Sequence, residues 1–157
     1  MKGDVLFSSK TDEWYTPKDF YEDLDWEFDF DLDPCSTHEN AKCKLHYTKE
    51  ENGLIKDWVG YNVFCNPPYG KVIAEWVKKC RETQVKNIRM KNNNVIVLLV
   101  PARTDTKWFH KYIYKKDRVE VRFIKGRLKF GGSKNSAPFP SMVVIFRSME
   151  RKNQINI

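Results

Sequence analysis

The run Val95-Ile96-Val97-Leu98-Leu99-Val100 constrains the fold more than any other stretch of the chain. Six consecutive β-branched or leucine side chains, with no polar alternation, mark a strand covered on both faces. The run is too short to cross a membrane as a helix. Pro101 closes it, because proline cannot donate to a sheet ladder. A strand of that kind belongs in the middle of a parallel sheet with helices packed on it. Val72, Ile73, Trp76 and Val77 recur at helical spacing and predict an amphipathic helix over 71–84, its exposed side made basic by Lys78, Lys79, Arg81 and Lys86. Trp108, Phe109, Tyr112 and Ile113 predict another helix after Arg103-Thr104-Asp105-Thr106. Val119 to Ile124 and Ser141 to Phe146 read as strands, with a basic, glycine-flanked segment over 126–132 and a mobile loop over 133–140 between them. The expected fold class is α/β, a mostly parallel central sheet with an antiparallel edge strand.

Earlier in the chain, Thr16 and Pro17 suit the N-cap and first position of a short helix carrying Phe20, Tyr21 and Leu24. Trp14 and Tyr15 then read either as a hydrophobic staple over that helix or as part of a site. Trp26, Phe28, Phe30 and Leu32 alternate with Glu27, Asp29 and Asp31, a period of two that predicts a half-buried strand ending at Asp33-Pro34-Cys35-Ser36. A carboxylate just beyond a strand's carboxyl end can meet the ammonium or ribose of a nucleoside-type cofactor. Residues 37–48 are expected to hold a short helix and a loop, with Asn40 on the same side as Asp33. Asn52-Gly53 is a turn signal.

With 157 residues the chain suits one domain over 1–157, with a loosely held arm at 1–13 and a frayed polar tail at 148–157. A hydrophobic content of 41% with 14% aromatics argues against disorder. No apolar run is long enough to span a bilayer and Met1-Lys2-Gly3-Asp4 is no signal peptide, so a soluble protein of the cytoplasm is expected. The net charge of +7 is segregated: residues 1–60 hold 7 Lys/Arg against 15 Asp/Glu, and residues 61–157 hold 21 against 6. A basic portion suits phosphates and an acidic one suits a cationic small molecule. Cys35, His38, Cys43 and His46 space as C-x2-H-x4-C-x2-H, which matches no zinc module, so no metal is expected and the cysteines should be reduced thiols.

One stretch concentrates chemistry. Val63-Phe64-Cys65 reads as a short buried strand, and Asn66-Pro67-Pro68-Tyr69 stops it stiffly, since each proline fixes φ and Pro68 keeps Pro67 out of the helical region. The Asn66 side chain and the Pro67 carbonyl are thereby presented together at a strand's carboxyl end, where ligands of open α/β sheets bind. Two such acceptors suit the N–H groups of an exocyclic amine on a ring, drawing its nitrogen toward tetrahedral geometry and stabilising the charge that develops during methylation. Tyr69 offers a face to stack on the ring.

With Trp14-Tyr15-Thr16-Pro17, Phe30-Asp31-Leu32-Asp33-Pro34-Cys35, Glu39-Asn40-Ala41, Phe64-Cys65-Asn66-Pro67-Pro68-Tyr69-Gly70, Val100-Pro101-Ala102-Arg103-Thr104-Asp105-Thr106 and Gly126-Arg127-Leu128-Lys129-Phe130, the chain resembles the phage-type, Dam-like DNA N6-adenine methyltransferases from about Trp14 to Phe146. The resemblance implies a Rossmann-like, S-adenosylmethionine-dependent methyltransferase fold acting on double-stranded DNA, in the bacterial host's cytoplasm where phage-encoded. It implies Asn66, Pro67, Pro68 and Tyr69 as catalytic, facing an adenine flipped from the duplex. It implies Tyr15, Thr16, Pro17, Asp33, Cys35, Asn40 and Asn66 around the cofactor. Asn52, Tyr69, Arg103, Thr106, Trp108, Arg127, Lys129 and Phe130 are the expected DNA contacts. No glycine-rich loop follows the first strand, and no separate target-recognition domain is evident. Motifs of the NPPY kind also resemble those of enzymes that methylate RNA bases, cytosine N4 or protein glutamine, and a nucleic-acid-binding relative without activity is a further alternative.

Overall fold

The computed structural model describes residues 14–131 and 133–151. The arm expected over 1–13 and the last residues, 152–157, lie outside them. Six strands form one sheet: β1 (Leu32–Asp33), β2 (Leu45–His46), β3 (Val63–Cys65), β4 (Val95–Pro101), β5 (Val119–Phe123) and β6 (Ser141–Arg147), in the order β2-β1-β3-β4-β6-β5. The first four pair in parallel, and β6 runs antiparallel between β4 and β5. The strand that opposes the others is therefore not at the edge, where it was expected, but one place inside it. Helix α1 (Lys18–Phe28) precedes the sheet, α2 (Ile73–Arg89) joins β3 to β4 and α3 (Lys107–Tyr112) joins β4 to β5, with a 3-10 turn at Gly53–Ile55 between β2 and β3.

All seven residues of β4 are buried, as the apolar run requires. β6 flanks it with six buried residues in a full ladder from Val95↔Arg147 to Pro101↔Ser141. Helix α2 carries the chain across from β3 to β4 and buries Ile73, Trp76, Val77 and Cys80. It runs five residues beyond the expected end, because Gln84 and Asn87 are buried polar residues with partners. Gln84 Nε2 reaches the carbonyls of Asp117, Arg118 and Arg147 at 3.1, 3.0 and 2.9 Å, which ties the helix to the sheet's far edge.

Five local expectations fail for identifiable reasons. The alternation over 26–32 is not one strand: α1 continues to Phe28, Asp29 takes left-handed φ 53, and only Leu32–Asp33 extends. On a helix, Trp26 lies about 200° from Phe28. Phe28 and Phe30 reach the core while Trp26 stays 90% exposed. Thr16 does not cap α1, because Pro17 occupies the cap position and the Thr16 hydroxyl is engaged elsewhere. No helix forms over 37–48, where side chains take the backbone N–H groups instead. The Asp33 carboxylate accepts from Cys35 and Lys42 at 3.2 and 2.9 Å, and Asn40 Oδ1 accepts from Thr37 at 2.7 Å. The tail begins later than expected, since Ser148 is 1% exposed and its hydroxyl serves Asn94. The loop before β6 is likewise packed at Ala137, whose N–H donates to the Leu128 carbonyl at 2.8 Å.

Gly53 joins two loops of the site. A Cβ there would lie 2.0 Å from the Pro34 carbonyl oxygen, a backbone atom that cannot step aside alone. Trp58 Nε1 also donates to the Gly53 carbonyl at 2.9 Å, fixing the turn from below. Gly53→Ala is therefore expected to cost about 1–3 kcal/mol, the usual scale of overpacking. Chemical denaturation of the variant checks this, and a midpoint equal to wild type would show that the two loops are free to separate.

Candidate active site

Strand β1 pairs with β2 on one side and β3 on the other, so the chain leaves β1 and β3 in opposite directions. Such a parting opens a crevice at the strands' carboxyl ends. A cavity of about 960 Å³ lies there. It is lined by Tyr15, Thr16, Asp33, Cys35, Asn40 and Asn52, and by Asn66 through Tyr69, which brings ten of the expected site residues together. Pro17 and the six other expected DNA contacts are not part of the lining.

Asn66 is anchored on every polar atom of its amide. Its Nδ2 donates to the Trp14 carbonyl and, at 2.9 Å, to Thr16 Oγ1. Its Oδ1 accepts from the Tyr69 hydroxyl at 2.9 Å. That hydroxyl also lies 3.3 Å from the Leu99 carbonyl oxygen, so its one proton has two acceptors within reach. Burial pushes the Tyr69 phenol above its usual range, which keeps the group a donor. Tyr69 is 3% exposed and does not present an open face. Its ring meets Phe139 and Phe130 edge-on, at centroid distances of 5.6 and 6.4 Å.

Across the crevice Asp33 is 3% exposed, with both oxygens accepting backbone N–H groups of the 34–42 loop. Burial raises its pKa to about 6, the largest influence, while the bonds from Lys42 and Cys35 oppose it. The zinc-like spacing yields no common point: His38 and His46 hydrogen-bond each other at 2.9 Å, and Cys43 Sγ meets the Tyr21 hydroxyl at 3.5 Å. Among the described residues no three His, Cys, Asp or Glu side chains are placed to share a metal ion.

The expected DNA contacts separate into two groups. Arg103, Arg127 and Lys129 are exposed. Trp108 is 8% exposed and Phe130 2%, so both serve the core as placed. Thr106 caps α3, its hydroxyl accepting from Phe109 at 3.3 Å and donating to the Arg103 carbonyl at 2.8 Å. Sequence reasoning missed the Trp14 carbonyl, a backbone atom with no signature. It also missed Phe139, although its place between Pro138 and Pro140 marked a rigid aromatic.

The family model described as DNA N-6-adenine-methyltransferase (Dam) matches residues 4–156. The chain belongs to this family. It is 38% identical over 130 residues to the DNA N-6-adenine-methyltransferase of Escherichia phage T1, an alignment covering 81% of this chain and 50% of that one. It is 37% identical over 65 residues to YfdM of Escherichia coli strain K12, covering 37% of this chain and 71% of that one. The chain thus spans about half the length of its phage T1 relative. Among the described residues no helix is long and apolar enough to cross a membrane.

The raised Asp33 pKa has a signed consequence. The native carboxyl keeps its proton up to about pH 6. An unfolded Asp loses it near pH 3.9, so the native state binds more protons between these values. The Asp33 contribution to stability therefore declines as pH rises from about 4 to about 6, by at most about 2–3 kcal/mol, and is flat above. Denaturation of wild type and Asp33→Asn across this range should show the wild type losing ground to the variant as pH rises. Parallel curves would place the titration elsewhere.

Proposed function

We propose that this chain transfers a methyl group from S-adenosylmethionine to the N6 amino group of adenine in double-stranded DNA, on a Rossmann-like sheet. The observation that carries the reading is the Asn66 amide, held by hydrogen bonds beside the Pro67 carbonyl at the mouth of the crevice. Membership of the Dam family and the likeness to the phage T1 protein support the same chemistry. On this reading the single domain works in the bacterial cytoplasm, on host or phage DNA.

The crevice suits the donor. Its volume lies within the range of small-molecule sites. Its acidic and amide side chains, Asp33 and Asn40 with Glu39 and Glu50 nearby, suit a cationic nucleoside with ribose hydroxyls. Tyr15, Asp33, Cys35 and Asn40 would hold it, whereas the Thr16 hydroxyl on the same lining accepts from Asn66. When bound, S-adenosylmethionine would supply an electrophilic methyl group.

The chain's residues then act on the target amine. N6 is a weak nucleophile because its lone pair is delocalised into the purine. Accepting its two N–H groups at Asn66 Oδ1 and the Pro67 carbonyl localises that pair and stabilises the positive charge that grows on nitrogen. Asn66 Oδ1 becomes available when the Tyr69 hydroxyl turns its proton to the Leu99 carbonyl, 3.3 Å away. The methylated nitrogen afterwards loses one proton to water. A flipped adenine reaches the Tyr69 ring only if Phe139, now packed on it, gives way. The exposed Arg103, Arg127 and Lys129 suit phosphates.

Incubation with labelled cofactor and mixed DNA, followed by nucleoside mass spectrometry, should yield N6-methyladenine. Asn66→Ala should lower turnover about 10²–10³-fold, the scale for one preorganised electrostatic partner, with cofactor affinity little changed. Wild-type turnover in that variant would remove Asn66 from the reaction. DNA binding should weaken steeply with salt, and alanine at Arg103, Arg127 or Lys129 should lower the logarithmic salt slope by about one for each phosphate no longer engaged. A flat salt response would leave these residues as solvated surface.

A further inference from the structure

We propose that Thr16, together with the Trp14 carbonyl, is a positioning device that fixes which end of the Asn66 amide faces the target; the inference rests on the methyl-transfer reading above. An amide presents an acceptor at one end and a donor at the other, and only the acceptor can take an amine N–H. Nothing in the Asn66-Pro67-Pro68 backbone chooses between them, since the terminal torsion of asparagine is broad and roughly two-fold.

The choice is made fifty residues away. Trp14 offers a carbonyl, which can only accept, and Thr16 Oγ1 accepts at 2.9 Å on the same side. The acceptor-only carbonyl requires the NH₂ at that end, the Thr16 hydroxyl takes its second proton, and Oδ1 is turned toward Tyr69 and the crevice. The segment that carries them is itself held. Pro17 confines Thr16 to extended backbone. The Tyr15 carbonyl accepts from the Gly131 N–H at 2.8 Å, and the Trp14 ring packs on Phe130 and Phe139 at 5.4 and 5.2 Å. Thr16 is 7% exposed, so water does not readily replace its hydroxyl. The position also demands an amide: a carboxylate at 66 would set an oxygen against the Trp14 carbonyl, acceptor against acceptor.

Thr16→Val removes the acceptor at nearly constant volume. We expect kcat to fall about ten-fold, the factor for losing one net hydrogen bond, with KM for DNA and cofactor affinity close to wild type. Thr16→Ser should restore kcat. Asn66→Asp adds a signature that no structural role produces. Its protonated form can donate to the Trp14 carbonyl and present C=O to the target, so its activity relative to wild type should rise as pH falls. Unchanged kcat in Thr16→Val, a loss confined to cofactor affinity, or a flat relative pH profile for Asn66→Asp would each overturn the proposal. A readout without turnover separates it from the reaction itself. In ¹⁵N-labelled full-length protein, both Asn66 Nδ2 protons should be protected from exchange, and Thr16→Val should expose one. Protection identical in both proteins would sink the device even if N6-methyladenine forms, whereas protection lost in Thr16→Val would sustain it even if none does.

Discussion

The parallel pairing of β1 with β3 decides where everything at this site goes. Leu32 sits opposite Val63, so Asp33 and Asn66 leave the sheet at the same end and on neighbouring strands. The two connections then diverge, one toward β2 and the other into α2. Polar groups in such a gap must be satisfied by loop backbone, side chains, water or a ligand. Asp33 turns inward to hold its own loop, while Asn66 is held by a segment that comes from outside the sheet. A buried carboxylate with a raised pKa on one strand and an immobilised amide on the next follow from that one geometry.

Charge segregation in the chain is partly consumed by the fold. Glu27 of α1 meets Arg122 of β5 at 2.7 Å, Arg122 also pairs with Glu120, and Arg147 reaches Glu120 at 2.9 Å. The Arg122 and Arg147 guanidinium groups both lie 5.5 Å from the Phe28 ring centroid. This network ties the acidic first helix to the basic sheet edge, and as a network of partly buried groups it holds better than isolated surface pairs. Arg103, Arg127 and Lys129 take no part in it: among the described residues none lies within ion-pair distance of a carboxylate. These three lie on the loops that follow β4 and β5.

The sheet's centre was legible because burial on both faces leaves a signal inside one segment. β4, α2 and β6 each carry their own periodicity or apolar run, and each forms nearly where the pattern places it. The stretch 26–32 was misread because a helix end and a strand start happen to join in an alternating phase; Asp25 Oδ1, accepting from Phe30 N–H at 2.9 Å, fastens that junction. At the site, the strand-end motifs Asp33-Pro34-Cys35 and Asn66-Pro67-Pro68-Tyr69 gave away their location, since turn chemistry is local. What holds Asn66 did not, because it involves a carbonyl and a hydroxyl fifty residues distant. Tyr69's burial was equally hidden, resting on Phe130 and Phe139 some sixty to seventy residues later.

Those rings join the two halves of the chemistry. Trp14, Tyr69, Phe130 and Phe139 form one cluster, with centroid distances from 5.2 to 6.4 Å. Each such pair contributes about 0.5–1.5 kcal/mol beyond its buried area, so dispersing the whole cluster would cost several kcal/mol. Stacking of a base on an aromatic returns only about 1–3 kcal/mol. On the proposed reading an incoming adenine could therefore displace one ring but not all four. Phe139 is the ring to yield: it is only half-buried and rides a surface loop, whereas Phe130 is 2% exposed and Trp14 hangs from the backbone that grips Asn66. On that reading displacement of Phe139 would uncover Tyr69, while Phe130 and the Gly131 N–H would still hold the segment whose Trp14 and Thr16 grip the amide. The cover over the tyrosine and the clamp on the asparagine are adjacent but rest on different atoms, so on the proposed reading the site would admit a base without losing the orientation of the Asn66 amide.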